Sequence, residues 1–264
     1  PPGTRHAATH PGTRAMDKAL YIAMTGARAT LQAQGTVSHN LANADTAGFK
    51  AALANTEAFP VRGPGHASRI AALHADQGFD ARAGAQRVTG NPLDLSLHAD
   101  RWLAVQAPDG SEAYTRAGNL SLTPNGQLVT AGGRPVLDQQ GNPIALPPHQ
   151  ALEIGQDGTV SIVPLGEAAN TMAEVGRLRV VEAAPERLTR GADGLMRNAD
   201  PAQPLAQAPG AVLATGALEE SNVDAAGALV QMIQLQRQFE MQVKVIQRGD
   251  DNAQSANTLL RLGS

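Results

Sequence analysis

The chain has 264 residues, a formal net charge of −3 at pH 7 and no cysteine. The mild negative charge gives no electrostatic reason to expect binding to nucleic acid or to an anionic membrane. The absence of cysteine excludes a disulfide framework, thiolate zinc sites and cysteine nucleophiles. No apolar run approaches the roughly 20 residues of a transmembrane helix, so we expect no membrane span.

The N-terminal residues 1–15 are rich in proline, glycine, histidine and arginine, without the apolar core or cleavage pattern of a secretory signal. We interpret them as a disordered leader. In the following segment, 16–50, a helix is predicted from about Asp17 to about Asn43. Alternating steps of four and three residues define one stripe along this helix. The stripe consists of Leu20, Met24, Ala27, Leu31, Gln34, Ser38 and Leu41.

The end of this helix carries turn signals. Asn43 and Asp45 favour turns, Gly48 permits a positive φ, and Phe49 is an apolar anchor just beyond the break. The next residues, 51–88, are rich in alanine and weakly periodic, so we predict an extended, partly mobile linker.

The middle of the chain changes to a period of two from Leu93 onwards. Short β-prone runs alternate with turn signals such as Asp109-Gly110 and Asn125-Gly126. This pattern predicts one compact antiparallel β domain over 89–184. Because only 3% of the residues are aromatic, its core must be built from Leu, Val, Ile and Ala. Residues 185–220 are predicted to return the chain to a C-terminal helix.

The last segment, 221–264, is predicted to be a helix that opens with a capping box, in which Ser221 accepts from the Asp224 N–H. Steps of three and four residues define a heptad stripe. The stripe consists of Leu229, Met232, Gln236, Phe239, Val243, Ile246, Asp250, Ala253, Asn257 and Leu260. A single helix would leave such a stripe exposed, so the two terminal helices are predicted to pair.

The predicted fold class is therefore α+β, with N- and C-terminal helices pairing as a coiled coil and an inserted antiparallel β-rich domain. Two interpretations of the helices remain open. They could form a helical hairpin that closes a globular core. Alternatively, the chain is an assembly protein whose two ends join and then pack against neighbouring copies.

Patterns typical of catalysis or ligand binding are missing. The seven histidines are dispersed, and neither a nucleophile elbow nor a phosphate-binding loop occurs. Glu112, Glu153 and Asp157 could serve glycoside hydrolysis only if the fold brought a pair together. We therefore predict a protein that is not an enzyme and has no cofactor or metal site. A cell-wall-acting enzyme and a ligand-binding module or adhesin on a helical stalk remain alternatives.

Three groups of residues carry a resemblance to a known family. The first group is Asn40-Leu41-Ala42-Asn43 with Thr46-Ala47-Gly48-Phe49-Lys50; the second is Thr89 to Leu95 with Asp109 to Arg116; the third is Ser221-Asn222-Val223-Asp224 with Met232-Ile233, Gln236-Arg237 and Phe239-Glu240. In this order and spacing they resemble the bacterial flagellar rod and hook proteins over nearly all of 16–262. Two departures are His39-Asn40 for a usual pair of asparagines and Arg101-Trp102-Leu103 for a usual Gly-Phe-Phe.

The resemblance implies a structural subunit of the proximal rod, with a distal-rod or hook-type axial protein as the alternative. It implies export by the flagellar export apparatus without a cleavable signal peptide, and assembly in the periplasmic rod with other rod proteins and with copies of itself. No nucleic acid partner is implied. The assembly residues implied are Leu20, Met24, Ala27, Leu31, Asn40, Leu41, Asn43, Gly48, Phe49, Ser221, Asn222, Val223, Met232, Ile233, Gln236, Arg237, Phe239, Val243 and Ile246.

Overall fold

The computed structural model describes residues 11–53, 56–60, 70–74, 78–168 and 171–262. The chain divides into two compact units, which we call the helical unit and the β unit. The helical unit comprises residues 1–39, 54–76 and 226–264, and the β unit comprises residues 40–53 and 77–225.

Two long helices confirm the predicted N- and C-terminal helices: α1 (Pro11–Ala42) and α2 (Ala225–Leu262). Helix α1 begins earlier than predicted, so residues 11–15 are helical and the expectation of a disordered leader is wrong for them. Residues 1–10 lie outside the described part of the chain.

The predicted capping box at the start of α2 is wrong. Because the helix begins at Ala225, Ser221 lies too early in the chain to cap it. The Ser221 hydroxyl instead accepts from the Val223 N–H at 3.3 Å, which is a short turn ahead of the helix. Asp224 is the residue directly before the first helical position.

The predicted linker, 51–88, contains regular structure. Strands β1 (Thr56–Pro60) and β2 (Ile70–His74) pair antiparallel in the helical unit, with Thr56 opposite His74. An ordered hairpin therefore replaces part of the extended, mobile segment that the weak periodicity had suggested.

The β unit contains fifteen strands and a short 3-10 helix in the residues that the structure describes. The strands are β3 (Gln86–Val88), β4 (Leu95–Leu97), β5 (Arg101–Gln106), β6 (Glu112–Thr115), β7 (Leu120–Leu122), β8 (Leu128–Thr130), β9 (His149–Ile154), β10 (Thr159–Pro164), β11 (Ala173–Arg177), β12 (Val180–Glu182), β13 (Leu188–Arg190), β14 (Met196–Asn198), β15 (Ala206–Gln207), β16 (Leu213–Thr215) and β17 (Ala217–Glu219). The 3-10 helix is Pro185–Arg187.

These strands pair antiparallel. The largest sheet has the order β13-β14-β6-β5-β12-β15, a second has the order β11-β10-β9, and β16–β4, β17–β3 and β7–β8 form two-stranded pairs. The predicted antiparallel β-rich domain is confirmed as a fold class. Strands β13 to β17 lie within 185–220, the segment predicted to return the chain to the C-terminal helix. The division of the chain into six segments otherwise stays a prediction.

The β7–β8 hairpin shows how turn chemistry sets the register. Gly126 has φ 78°, which glycine adopts without the steric cost that a Cβ would add. Its N–H donates to the Thr123 carbonyl at 2.9 Å, and the Thr123 N–H donates to the Gln127 carbonyl at 2.9 Å. Asn125-Gly126 is thus a hairpin turn, as the sequence predicted.

The core of the β unit is aliphatic, as the composition required. Its largest fully buried side chains are Leu95, Leu103, Leu128, Ile162, Leu178, Leu213, Val105, Val136, Val160, Val180, Val181 and Val212. A smaller cluster is built around Trp102, whose ring meets Phe79 edge-on with centroids 5.8 Å apart. The Trp102 Nε1–H donates to the Ala183 carbonyl at 3.2 Å, so the buried indole has its polar partner.

Candidate assembly site

Small side chains line the contact between the two helices. Ala27 and Thr30 of α1 are buried. Thr30 Oγ1 lies 3.2 Å from Gln242 Oε1 of α2 and 3.0 Å from the Gly26 carbonyl oxygen. A Cβ at Gly26 would lie 3.1 Å from Gln242 Nε2. The helices therefore meet closely here because α1 presents small residues.

One face of α2 is half-buried, and its members recur at heptad spacing. We call it the inner face: Ala228, Met232, Leu235, Phe239, Gln242, Val243, Ile246 and Gly249. The predicted stripe shares Met232, Phe239, Val243 and Ile246 with the inner face, whereas Gln236 is exposed. The predicted stripe therefore has the correct residue at Met232, Phe239 and Ile246. At the positions between them it is mostly shifted by one residue, for example to Gln236 in place of Leu235.

Large apolar side chains on other faces of the helices remain exposed. We call this set the outer face: Met24 and Leu31 of α1 with Val230, Ile233, Met241 and Val245 of α2. Each of these side chains is at least 50% exposed. At about 100° per residue, the four on α2 fall within roughly 120° of one another and lie opposite Phe239.

Predicted assembly residues thus fall on both faces. Met24, Leu31 and Ile233 lie on the outer face, and Arg237 is also exposed. The side chain of Leu20 lies outside the described part of the chain.

Side-chain amides stabilise the turn that follows α1. Asn40 pairs with Ala52 in both directions, since its Nδ2 donates to the Ala52 carbonyl at 2.9 Å and its Oδ1 accepts from the Ala52 N–H at 2.8 Å. Asn43 Oδ1 accepts from the Thr46 hydroxyl at 3.2 Å, and Leu41 is half-buried. Asn40 therefore supplies hydrogen-bond partners for both backbone groups of Ala52, and Asn43 bonds a side chain within the turn.

Two short stretches of chain meet beyond this turn. We call residues 46–53 the signature segment and residues 217–222 the pre-helix segment. The Gly48 N–H donates to the Glu219 carbonyl at 2.7 Å. Gly48 has φ 68°, and a Cβ there would overlap the backbone of Arg116. Only glycine satisfies both the turn and this close approach.

Asn222 joins three stretches of backbone with one amide. Its Oδ1 accepts from the Ala51 N–H at 2.7 Å, and its Nδ2 donates to the carbonyls of Asp80 at 2.8 Å and Arg82 at 3.0 Å. The Asn222 N–H also donates to the Phe49 carbonyl at 3.3 Å. Position 222 therefore requires an amide side chain, because a carboxylate could accept the Ala51 bond but could not donate the other two.

A buried ion cluster lies beneath these contacts. Glu219 Oε1 accepts from Lys50 Nζ at 2.7 Å and from the Gly84 N–H at 3.0 Å, and Glu219 Oε2 accepts from Arg116 Nε at 2.7 Å. Arg116 Nη2 contacts the same oxygen. Lys50, Arg116 and Glu219 are each no more than 5% exposed.

The remaining donors of Arg116 are also used. They donate to the carbonyl oxygens of Leu97 at 2.9 Å, Arg101 at 2.8 Å and His98 at 3.2 Å. Lys50 Nζ donates in addition to the Arg82 carbonyl at 2.6 Å. Complete pairing of this kind is what makes a buried charge tolerable.

Burial and charge oppose each other in this cluster. Burial lowers the pKa of Lys50 more strongly than the neighbouring Glu219 raises it. For Glu219, burial would raise the pKa, but the Arg116 and Lys50 cations together with the Gly84 N–H hold it below its usual range. The carboxylate is therefore the charged partner that both cations require.

A third cation, outside the ion cluster, contacts the signature segment. The Arg190 guanidinium lies 4.6 Å from the centroid of the Phe49 ring, and Arg190 Nη1 donates to the Lys50 carbonyl at 2.9 Å. This is cation–π geometry. Phe49, predicted as an apolar anchor, therefore contacts an arginine as well.

The ion cluster was missed in the predicted site. Lys50 and Arg116 stand within the motifs that carry the resemblance, but neither was assigned a role, and Glu219 was not singled out. The available signal was an acidic residue two positions before Ser221. Its partners lie 169 and 103 positions away along the chain, and sequence spacing does not connect residues over that distance.

Two of the three carboxylates considered for hydrolysis, Glu112 and Asp157, have structural partners. Glu112 Oε1 accepts from Arg179 Nε at 2.7 Å and from the Tyr114 hydroxyl at 2.8 Å. Asp157 accepts from the Thr159 N–H and hydroxyl in its own turn. Among the residues that the structure describes, no group of three potential metal ligands occurs and no helix is long and apolar enough to cross a membrane.

Three family models match the chain. The model of the flagella basal body rod protein matches residues 20–50, that of the flagellar hook protein FlgE/F/G D1 domain matches 97–162, and that of the flagellar basal body rod FlgEFG protein C-terminal matches 214–259. The first and last include the signature segment up to Lys50 and the pre-helix segment. The two sides of the Lys50–Glu219 ion pair therefore belong to two separately matched regions.

Several curated proteins are similar over almost the whole chain. The flagellar basal-body rod protein FlgF of Escherichia coli K12 is 44% identical over 94% of this chain and 100% of its own length, and that of Salmonella typhimurium LT2 is 43% identical with the same coverage. The flagellar basal-body rod protein FlgG of Bacillus subtilis 168 is 31% identical over 93% of this chain and 100% of its own length. With its terminal signatures joined at one buried cluster and its β domain between them, the chain belongs to the family of structural flagellar basal-body rod proteins and not to a family of enzymes.

Proposed function

We propose that this chain is a structural subunit of the proximal part of the flagellar basal-body rod and polymerises through its terminal helices into an axial tube. The FlgF proteins of Escherichia coli and Salmonella typhimurium, at 44% and 43% identity, are more similar to it than the FlgG of Bacillus subtilis, at 31%. This difference favours the proximal rod over the distal rod. The partners are other rod proteins and further copies of the chain, and the location is the periplasmic rod, reached through the flagellar export apparatus.

The observation that carries the proposal is the outer face. Two long helices present large apolar side chains that are at least half exposed, on faces other than the one through which α1 and α2 meet. An exposed apolar stripe at helical spacing is typical of a surface that another helix covers. Contact between the α1 part of the outer face of one subunit and the α2 part of the outer face of the next is heterologous, and such contacts build helical tubes when they do not close.

The inner and outer faces divide the predicted assembly residues by role. Phe239, Val243 and Ile246 on the inner face support a coiled coil of α1 and α2 within the subunit. Leu31 and Ile233 on the outer face are proposed to contact neighbouring subunits. The signature and pre-helix residues act indirectly, by stabilising the β unit through the contacts between these two segments.

Disulfide cross-linking tests the outer face without background, because the chain has no cysteine. The double variant Leu31→Cys/Ile233→Cys is concentrated and oxidised, and the products are separated by non-reducing electrophoresis. The expected result is a ladder of covalent dimers, trimers and higher species. The matched control is Leu31→Cys/Gln140→Cys, in which the second cysteine stands on an exposed turn of the β unit.

The ladder must come from the outer face for the proposal to hold. Equal ladders from both variants, or a product cross-linked only within one chain, would show that outer faces do not meet between subunits. In the bacterium that carries this chain, Ile233→Asp is expected to abolish swimming and rod formation. Gln231→Asp, an equally exposed position on another side of α2, is expected to leave both intact.

A further inference from the structure

The pre-helix segment has its own attachment to the β unit. Strand β17 pairs with β3 over three residues, with Glu219 opposite Gln86. The Glu220 N–H donates to the Ala85 carbonyl at 2.8 Å, and Leu218 is buried. A Cβ at Gly84 would overlap the Glu220 carbonyl, so the two stretches run in close contact. None of these bonds involves the signature segment.

The signature segment, in contrast, depends on the pre-helix segment for three of its backbone hydrogen bonds, while Arg190 contacts it independently. Gly48 donates to the Glu219 carbonyl, Ala51 donates to Asn222 Oδ1, and Phe49 accepts from the Asn222 N–H. The neighbouring stretch 78–82 accepts from Lys50 and bonds to Ala51, but it is itself held by the Asn222 amide.

Charge makes the dependence one-sided. Both ion pairs that Lys50 and Arg116 form in the described part of the chain are made with Glu219. If the signature segment opened, Arg116 and Glu219 would remain a neutral, fully bonded pair. If the pre-helix segment opened, Lys50 and Arg116 would be two buried cations without that carboxylate, and Asp80 is already bonded by Arg82.

We propose that two segments of the β unit fold onto the rest of it in a fixed order: the pre-helix segment binds by itself, and the signature segment binds second, on Asn222 and on a preformed Arg116–Glu219 pair. The signature segment can then open while the pre-helix segment stays in place, but the reverse does not occur. This order is a property of the single chain and stands whether or not the chain polymerises.

Hydrogen exchange of backbone amides in the full chain tests this order. Gly48, Ala51 and Leu53 report on the signature segment, and Glu220 together with strand β17 reports on the pre-helix segment. In Lys50→Met, exchange of the first set is expected to rise about tenfold or more while the second set stays within about twofold of wild type. Glu219→Gln is expected to raise exchange in both sets.

Two further variants complete the experiment. Asn222→Ala leaves the ion cluster intact but removes the Ala51 bond, and it is expected to open the signature segment alone. Glu220→Gln is the matched control, because this neighbouring carboxylate is half-exposed and pairs with the exposed Arg87; exchange is expected to stay unchanged. If Lys50→Met or Asn222→Ala opened both segments equally, the two segments would form one cooperative unit and the proposed order would be wrong. Should Glu219→Gln fail to fold, these two variants still decide the question.

Discussion

Replacing Glu219 by glutamine tests the buried ion cluster between the signature segment and the pre-helix segment. The amide has nearly the same shape as the carboxylate, but it removes the negative charge that faces two buried cations. Lys50 and Arg116 would then remain as like charges, each no more than 5% exposed. We expect the free energy of unfolding to fall by about 3–5 kcal/mol, the usual cost of removing one partner of a buried ion pair.

This loss is a large fraction of the free energy of unfolding of a typical protein, which is about 5–15 kcal/mol. Lys50→Met should cost less, because Glu219 keeps Arg116 as its partner and the methionine side chain fills the same space. Glu220→Gln should cost at most about 1 kcal/mol, since its ion pair with Arg87 is half-exposed and screened by water.

Urea unfolding followed by the fluorescence of Trp102 measures these differences. Trp102 is the single tryptophan of the chain, and the Arg116 guanidinium lies 5.6 Å from its ring, so the probe sits beside the cluster. The midpoint is expected to fall at unchanged slope. If Glu219→Gln cost no more than Glu220→Gln, the buried cluster would not be the joint that the hydrogen bonds indicate.

Four other predictions concern the pH dependence of stability, the two helix faces and the turn at Gly48. As the pH falls below the unfolded-state pKa of 4.5 for Glu219, wild type should lose the stability that its lowered folded-state pKa provides, and Glu219→Gln should show a flatter pH dependence of unfolding there. Ile233→Asp should change monomer stability by no more than about 0.5 kcal/mol and still block polymerisation, measured by sedimentation. Val243→Asp, on the inner face, should cost about 1–3 kcal/mol and also block polymerisation. Gly48→Ala should cost about 1–3 kcal/mol in urea unfolding.

Much of the fold was predictable because turns, strands and helices are specified by residues that lie close together in the sequence. Turn residues such as Asn125-Gly126 and alternating leucines predicted antiparallel strands, and the 3–4 spacing predicted both long helices. The hairpin β1–β2 was missed because its two strands, TEAFP and IAALH, carry almost no alternation of polar and apolar residues. The start of α2 was misplaced because the capping-box pattern at Ser221 is a two-residue turn in the folded chain.

The site was only partly predictable, because its decisive contacts join residues that are far apart in sequence. Asn40, Gly48 and Asn222 were identified through motifs, but motifs do not reveal which backbone groups these side chains bind. Lys50 and Glu219 are ordinary charged residues until folding brings them together. The folded structure is needed to show that the Glu219 carboxylate pairs with both Lys50 and Arg116.

The phase of the helix stripe gives the most direct link between sequence and assembly. Apolar residues were counted as one seam because Met24, Leu31, Val243 and Ile246 all fit a heptad. In the folded chain the small residues of α1 face α2, while Met24 and Leu31 remain exposed. Close approach between helices requires small side chains, whereas large exposed ones need a partner to cover them. The same repeat therefore encodes two contacts, one within the subunit and one that we expect only neighbouring subunits to complete.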